Sequence, residues 1–340
     1  MNEGKLSPAA LERLLRHTAV SRPEVLVGAA AGEDAAVVRG RERLVVTADP
    51  ITFTEENIGY YAVAVNCNDV VAMGGRPRYL TTTLLLPLRF PASRLAAVFR
   101  EIGRAAAAAD VLWVGGHTEV TSAVTRVVIS AQAIGFLRRP PLLTSAARPG
   151  QTLVMTKWAA LEAGTLIARE RPAEVRRLLG TAGYREVLGW LHSPGIAILP
   201  EGKILERFRL SAGHDPTEGG IATGIHEIAS RSGVGVLIRE ESIPVHQHAR
   251  AICRHFGLDP LGALSSGVFL FTAAPAEARR ACAALSRRGI PAAAIGEITA
   301  ASGKVVLERG GARRALKRFA RDEVLKLRRP DAGGRSPQQP

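Results

Sequence analysis

Apolar and polar positions along this chain repeat with two different periods. Residues 44–48 (LVVTA) form a short β-branched apolar run that predicts a strand ending at Asp49. Residues 59–73 (GYYAVAVNCNDVVAM) are apolar nearly all round and close on Gly74-Gly75, which predicts a buried helix with a glycine C-cap. Residues 79–86 (YLTTTLLL) are rich in β-formers, and 92–109 predict an Ala-rich helix. Val111 to Val114 predict a short strand running into Gly115-Gly116, and 124–134 a long strand. The stretch 137–150 (LRRPPLLTSAARPG) is dense in Pro, Arg and small residues and places a domain boundary there. A second set follows: strand 152–156, helices near 158–170, 182–192 and 195–207, helix 217–232, strand 234–238, helix 246–256, strand 267–272, helix 275–288 and strand 304–308. Residues 313–329 place Leu316, Phe319, Ala320, Val324 and Leu327 at helical spacing and predict a basic amphipathic helix. The alternation of strands and helices is an α/β (α+β) pattern, with domains over 1–140 and 150–329 and a disordered tail over 330–340.

Bulk composition narrows the class. At 340 residues and 46% hydrophobic content, the chain has the length of two domains and the material for a sizeable core. The start, MNEGKLSPAALERLL, reads as a helix opened by Ser7 and Pro8 with no signal-peptide h-region behind it. No stretch reaches the roughly 18 apolar residues of a membrane span. With Cys67, Cys253 and Cys282 far apart and unpaired in motif, the expectation is a cytoplasmic protein without a membrane partner. The cysteines read as small buried hydrophobes. The net charge of +14 raises nucleic-acid binding, and residues 313–329 hold eight Lys/Arg against two acids. Aromatics make up only 5%, and no nucleic-acid-binding signature is present, so a general basic surface is the favoured reading.

Five polar clusters carry the candidate chemistry. They are Gly32-Glu33-Asp34, Thr47-Ala48-Asp49, Asn66-Cys67-Asn68-Asp69, Gly115-Gly116-His117-Thr118 and His214-Asp215-Pro216-Thr217-Glu218-Gly219-Gly220. Each is flanked by apolar sequence, which draws its carboxylates toward the interior. Buried carboxylates are costly unless paired or bound to metal. Beside Gly-Gly turns, they point to a site for divalent cations and phosphates. Asp69 is the strongest, because it lies mid-helix among Val65, Val70, Val71 and Met73 with Asn66 one turn earlier. Its alternative is a pairing with an Arg or a helix cap. Asn68 can bond a ligand or the backbone. Gly115 and Gly116 can let backbone amides approach phosphate, and His117 is a ligand or a turn residue. Thr217 or Asp215 can cap the helix behind them, with Gly219-Gly220 setting its first turn against an anion.

In this order and spacing, the clusters resemble the aminoimidazole ribonucleotide (AIR) synthase superfamily over roughly residues 24–310. The segments GEDAAVV and HDPTEGGIATGIHEIASRSGVGVLIREESIPV resemble most the hydrogenase maturation factors called HypE, whereas NDVVAMGGRP is shared more widely. The resemblance implies a two-domain AIR synthase-like fold, with the N-terminal sheets of a homodimer joined into a β-barrel and a C-terminal α/β domain. It also implies ATP in a cleft, with Mg²⁺ bridging the phosphates. By motif, Asp34, Asp49 and Asp69 resemble the metal-binding acids, with Glu33 and Asn68 beside them, and Asp215 matches the acidic motif of the second domain. Gly115, Gly116, Thr118, Thr217, Gly219 and Gly220 fall at nucleotide-contacting positions. Two departures stand out: Glu33 replaces the usual Asp, and His117 replaces the usual Asp or Glu. HypE proteins end in a tail cysteine that receives a carbamoyl group, whereas this chain ends RSPQQP and its last cysteine is Cys282.

Three readings follow. The first is an ATP-dependent enzyme that phosphorylates an amide or carboxylate-like oxygen, with His117 and His214 as the candidate acid–base groups. The second, motivated by the tail, is a non-catalytic or partner-dependent ATP-binding maturation protein, in which another protein supplies the acceptor group. The third is a nucleic-acid binder.

Overall fold

The computed structural model describes residues 23, 25–27, 33, 35–39 and 42–327, and all that follows concerns those residues. The expected helix at Ser7-Pro8, the residues Gly32 and Asp34, and the tail from 328 lie outside them.

The first sheet is built from β1 (Val25–Val27), β2 (Ala36–Arg39), β3 (Arg43–Ile51), β4 (Arg76–Leu86), β5 (Leu112–Val120) and β6 (Val128–Leu137), in the order β1-β2-β3-β6-β4-β5. Only the β4–β5 pair is parallel. Two helices cover the sheet, α1 (Ile58–Ala72) and α2 (Ala92–Ala109). The first matches the apolar run read from the sequence, and every residue but Tyr60 is buried. It ends at Gly74 (φ 76°), where the N–H groups of Gly74 and Gly75 return to the carbonyls of Val71 and Val70 at 2.8 Å. That closes the helix through a left-handed glycine.

The second sheet holds β7 (Thr152–Thr156), β8 (Gly213–His214), β9 (Gly235–Arg239), β10 (Leu270–Ala273), β11 (Ala292–Thr299), β12 (Val305–Arg309) and β13 (Ala312–Ala315). Its order is β13-β12-β9-β11-β7-β10-β8. Around it lie α3 (Leu161–Glu170), α4 (Pro172–Gly189), α5 (Leu199–Leu205), α6 (Gly220–Ser232), α7 (Gln247–Phe256) and α8 (Pro275–Ser286). Helix α1 packs on β3, β4 and β6 and also touches α5 and β8, so it sits between the two halves. A helix buried from both sides has no room for a polar face, which is why its sequence is apolar all round.

Several sequence expectations fail in instructive ways. Over the described part of the expected helix, residues 313–327, no α-helix forms: β13 is followed by irregular chain and a 3-10 turn over Glu323–Leu327. The apolar residues of that run act as separate anchors. Leu316 and Val324 are buried, and Phe319 packs where a Cβ on Gly262 would lie 2.3 Å from its ring. Gly115-Gly116 is not a loop; both glycines are inside β5. Asp49 does not follow a strand but sits within β3, opposite Ala131. The helix expected over 182–192 begins at Pro172 and breaks at Gly180 (φ 71°), and that expected over 195–207 is reduced to α5. Strand β11 was hidden by its Ala-Ala-Ala start, which has helical propensity.

The halves meet at residues 195–198, which are gripped from both sides. From α1, Asn68 donates Nδ2–H to Ile196 O at 2.8 Å and accepts from Ile198 N–H at 2.9 Å. From the end of β7, the Lys157 ammonium donates to Gly195 O and Ala197 O, each at 2.9 Å, and pairs with Glu201 at 2.9 Å. Both Lys157 and Glu201 are fully buried. Burial pulls the lysine pKa down and pushes the glutamate up, and their mutual attraction opposes both shifts. Removing one partner strands the other charge, so Lys157→Met is expected to cost about 3–5 kcal/mol, and adding Glu201→Leu should recover much of it. Urea unfolding of the two variants checks this. A single variant as stable as the parent would show that the pair does not hold this junction.

Candidate functional site between the two halves

Strand β3 turns alternate side chains toward α1. Val45 and Ile51 are core on that face, and between them, at the same parity, lie Thr47 and Asp49. Helix α1 answers with two polar residues. The Asp69 carboxylate accepts from Thr47 Oγ–H at 2.6 Å, with both residues buried. Asn66 Nδ2–H donates to Asp49 O at 3.2 Å and to Ala62 O at 2.9 Å, and its Oδ1 accepts from Asp49 N–H at 2.9 Å. Asn66 therefore fixes the backbone of Asp49 while Thr47 fixes Asp69. The two acids expected from the sequence, Asp49 and Asp69, are brought to one face of one strand. Asn68 is not brought with them; it is turned to residues 196–198, where it joins the halves.

Gly115, Gly116, His117 and Thr118 lie in β5, paired in parallel with Thr81 to Leu84. The edge position puts them three strands, roughly 14 Å, from β3. Gly116 (φ 150°) answers a backbone demand: Thr82 O stands where a Cβ would be, at 1.8 Å. His117 is two-thirds exposed, with Glu119 at 3.9 Å. Glu33 is directed to Arg231, at 3.5 Å, on the last turn of α6.

In the second half, β8 pairs with β10 and delivers His214 and Asp215 to the interior. His214 Nε2 is 2.7 Å from a carboxylate oxygen of Glu227, which anchors β8 to α6. The residue at the N-cap position of α6 is neither Thr217 nor Asp215. It is Gly219 (φ 75°), whose N–H donates to Asp322 at 2.8 Å. Gly220 (φ 62°) is required by the chain passing over it, since a Cβ there would lie 2.6 Å from Leu261 O. The anion at this helix start is thus one of the chain's own carboxylates, well placed by the helix dipole.

Two acids missed in the sequence reading matter here. Glu162, in the first turn of α3, is 1% exposed. Burial pushes its pKa to about 7; a hydrogen bond from Ser266 opposes this, while Asp322 and Glu218 raise it further. Burial likewise lifts Asp322 to about 6, against bonds from Val324, Gly219 and Leu264. The signal for Glu162 was a carboxylate inside the apolar run WAALEAGTL, and that for Asp322 a pair of acids inside a basic run. From Glu162, the same face of α3 carries Thr165 and Arg169 toward Tyr61 of α1, whose pKa both Glu162 and Arg169 influence. Glu162 Oε2, Thr165 Oγ1, Arg169 Nε and Tyr61 OH are all buried without a hydrogen bond. Buried polar atoms in that state mark a place built for polar company. The cysteines are plain core: burial drives the Cys67 and Cys253 thiols to about 12 and raises Cys282.

The described residues contain no group of three or more His, Cys, Asp or Glu able to hold a metal unaided. Asp49 and Asp69 offer oxygen donors. That fits Mg²⁺, which takes one or two carboxylates together with phosphates and water and does not need a protein cage. No helix among the described residues is long and apolar enough to cross a membrane.

Comparison with known proteins bears on this geometry. The family model described as AIR synthase related protein, N-terminal domain, matches residues 32–137, and its C-terminal-domain counterpart matches 148–308. The carbamoyl dehydratase HypE of Rhizobium leguminosarum bv. viciae is 32% identical over 280 residues, which cover 76% of this chain and 74% of that one. The crystal structure of hydrogenase maturation protein HypE in complex with ATP is 26% identical, with TM-score 0.68 over 95% of this chain and 98% of that one. That of a HypE–HypF complex is 25% identical, with TM-score 0.68 over 84% and 93%.

The burial of Glu162 has a measurable consequence. Its folded pKa is raised above the unfolded value, so its share of stability is fully present below about 4.5 and is lost as pH climbs toward 7. Glu162→Gln escapes that loss. Relative to the parent, the variant is expected to gain on the order of 3 kcal/mol across this range, read by urea unfolding at about pH 5 and about pH 8. A gap that does not change with pH would mean that Glu162 is not buried as a carboxyl.

Proposed function

Because the chain belongs to the AIR synthase related family, we propose that it is an ATP-dependent enzyme of the HypE type that binds Mg-ATP between its halves and phosphorylates an amide or carboxylate-like oxygen. The observation that carries this reading is the buried Thr47–Asp69 bond, with Asp49 held beside it by Asn66. An acid on a helix that is otherwise apolar costs stability and is retained for a ligand. The relatives named carbamoyl dehydratase and the ATP complex of a HypE structure support the nucleotide and the reaction type.

Asp49 and Asp69, with Asp34, Glu33 and Asp215, are the residues that would hold Mg²⁺. The ion, when bound, neutralises phosphate charge. The chain's part is to position and to exclude water. Asn66 and Thr47 orient the two acids, and Gly219, Gly220 and Thr217 shape the turn before α6. Burial raises the Glu162 pKa to about 7, a value matched to proton transfer, and we assign it that work in preference to His117 and His214. His214 is engaged by Glu227, and His117 stands on the edge strand.

The acceptor is not one of the three thiols, all of which burial holds protonated. A protein partner that supplies the acceptor group suits this, as does the HypE–HypF assembly of a relative. A homodimer with a shared barrel is supported by β5, an edge strand exposing Leu112, Val114 and Val120 at 49%, 59% and 57%.

The test is Asp69→Asn. The amide keeps the acceptor for Thr47, so the fold is retained, while Mg²⁺-dependent ATP turnover should fall by at least about a hundredfold. Turnover equal to the parent's would remove Asp69 from the site.

A further inference from the structure

A cavity of about 410 Å³ opens on the side of the molecule where the chain crosses from β6 to the second half. Its walls come from both halves: the end of α1, the start of β4, the crossing segment 138–142, and α5 with the residues after it. The floor is apolar. Val71, Leu199, Leu205, Phe208 and Phe269 line it, and all are buried. The rim is cationic. Arg76, Arg138, Arg139, Lys203 and Arg209 stand around the mouth, with only Glu206 and Asp110 as acids.

The acids engage only part of this rim. Glu206 takes Arg76 through Nε at 3.0 Å and has Arg138 at 3.8 Å. Asp110 lies 3.8 Å from Arg78, outside this rim. Arg139 donates to Phe208 O at 3.3 Å, which fixes a guanidinium beside the floor. Arg138 is 70% exposed, and Lys203 and Arg209 are exposed. An adjoining cleft shares Arg76, Arg138 and Asp110 and adds Arg39, Arg43 and Arg78 against Glu42, so the positive excess extends beyond the mouth.

We propose that this cavity is a binding site for a small amphipathic anion, with an aliphatic or aromatic body on the floor and a carboxylate or phosphate group at the arginine rim. The size is that of a ligand pocket. The two-part lining suits neither a plain ion nor a neutral apolar molecule, because guanidinium groups prefer oxyanions and the floor prefers hydrocarbon. Between α1 and α5 the lining is tightly packed: a Cβ on Gly202 would lie 2.6 Å from Val71 Cγ1. The site is separate from the acids at the Asp69 seam, so it stands whether or not the nucleotide reading does. An occupant would touch both α1 and α5, the elements tied together through Asn68 and residues 196–198.

Decanoate and decanamide share a body and differ in the head. Calorimetry on the full chain, without nucleotide, should show one decanoate bound per chain and decanamide weaker by at least about tenfold. The double variant Arg138→Glu/Lys203→Glu alters only exposed side chains and should weaken decanoate by at least about tenfold. Leu210→Trp, which fills the cavity from its wall, should abolish binding of both probes, with circular dichroism confirming the fold. No decanoate binding at about 1 mM, equal binding of the amide, or decanoate affinity unchanged in the charge-reversed protein would each overturn the proposal.

Discussion

The grip on residues 195–198 is the interaction on which the arrangement of the two halves depends. An irregular segment with four backbone groups in the interior must have each of them satisfied. Here the partners come from different halves: Asn68 takes Ile196 O and Ile198 N–H, and Lys157 takes Gly195 O and Ala197 O. Neither half satisfies the segment alone. A buried lysine is expensive, and Glu201 together with two carbonyls offsets the charge. Such a junction is intolerant of partial separation, because every group exposed by a small opening loses a partner that water cannot immediately replace. The relative placement of α1 and α5, and hence of both the acidic seam and the cationic cavity, follows from it.

Helix α1 carries three chemical tasks within the four residues 66–69. Asn66 binds the backbone of Asp49, Asn68 binds the other half, and Asp69 binds Thr47. At about 100° per residue, these side chains leave the helix in different directions, so one short run serves a strand, a domain junction and an acidic site at once. The apolar remainder makes that possible. A helix clamped on all sides has little freedom, and its polar groups inherit that rigidity.

Much of this was legible in the sequence because it rests on local rules. The apolar run 59–73 with Gly74 behind it specified a buried helix and its end, and an acid inside the run had to be placed against something. The misreadings are non-local. Gly115-Gly116 reads as a turn, but the reason for glycine at 116 is the carbonyl of Thr82, thirty-four residues away in sequence. Residues 313–329 have helical spacing by coincidence of anchors: Leu316 faces α6, where its carbonyl accepts from His226, while Asp322 and Glu323 are drawn inward to the amides of Gly219 and Asp259. No window of that length contains those partners. Sequence alone leaves Asn68 to a ligand or to backbone, because the carbonyl of Ile196 and the amide of Ile198 that it bonds belong to the other half.

The distribution of charge separates two surfaces that net charge merges. The chain carries +14, yet Glu162, Glu218 and Asp322 lie close enough to influence one another, and Glu162 and Asp322, both buried, hold their protons unusually well. Acids that crowd together in low dielectric raise one another's pKa, and a cation brought among them relieves that repulsion. The excess positive charge sits instead around the crossing segment, on Arg76, Arg138 and Arg139, and over the outer side of residues 313–326. In the latter stretch the two acids are inside and the basic side chains outside, the arrangement expected of a folded segment that keeps its cations in water. The basic run therefore has an explanation in packing, and what the net charge reflects is the chain's exterior and the rim of the cavity.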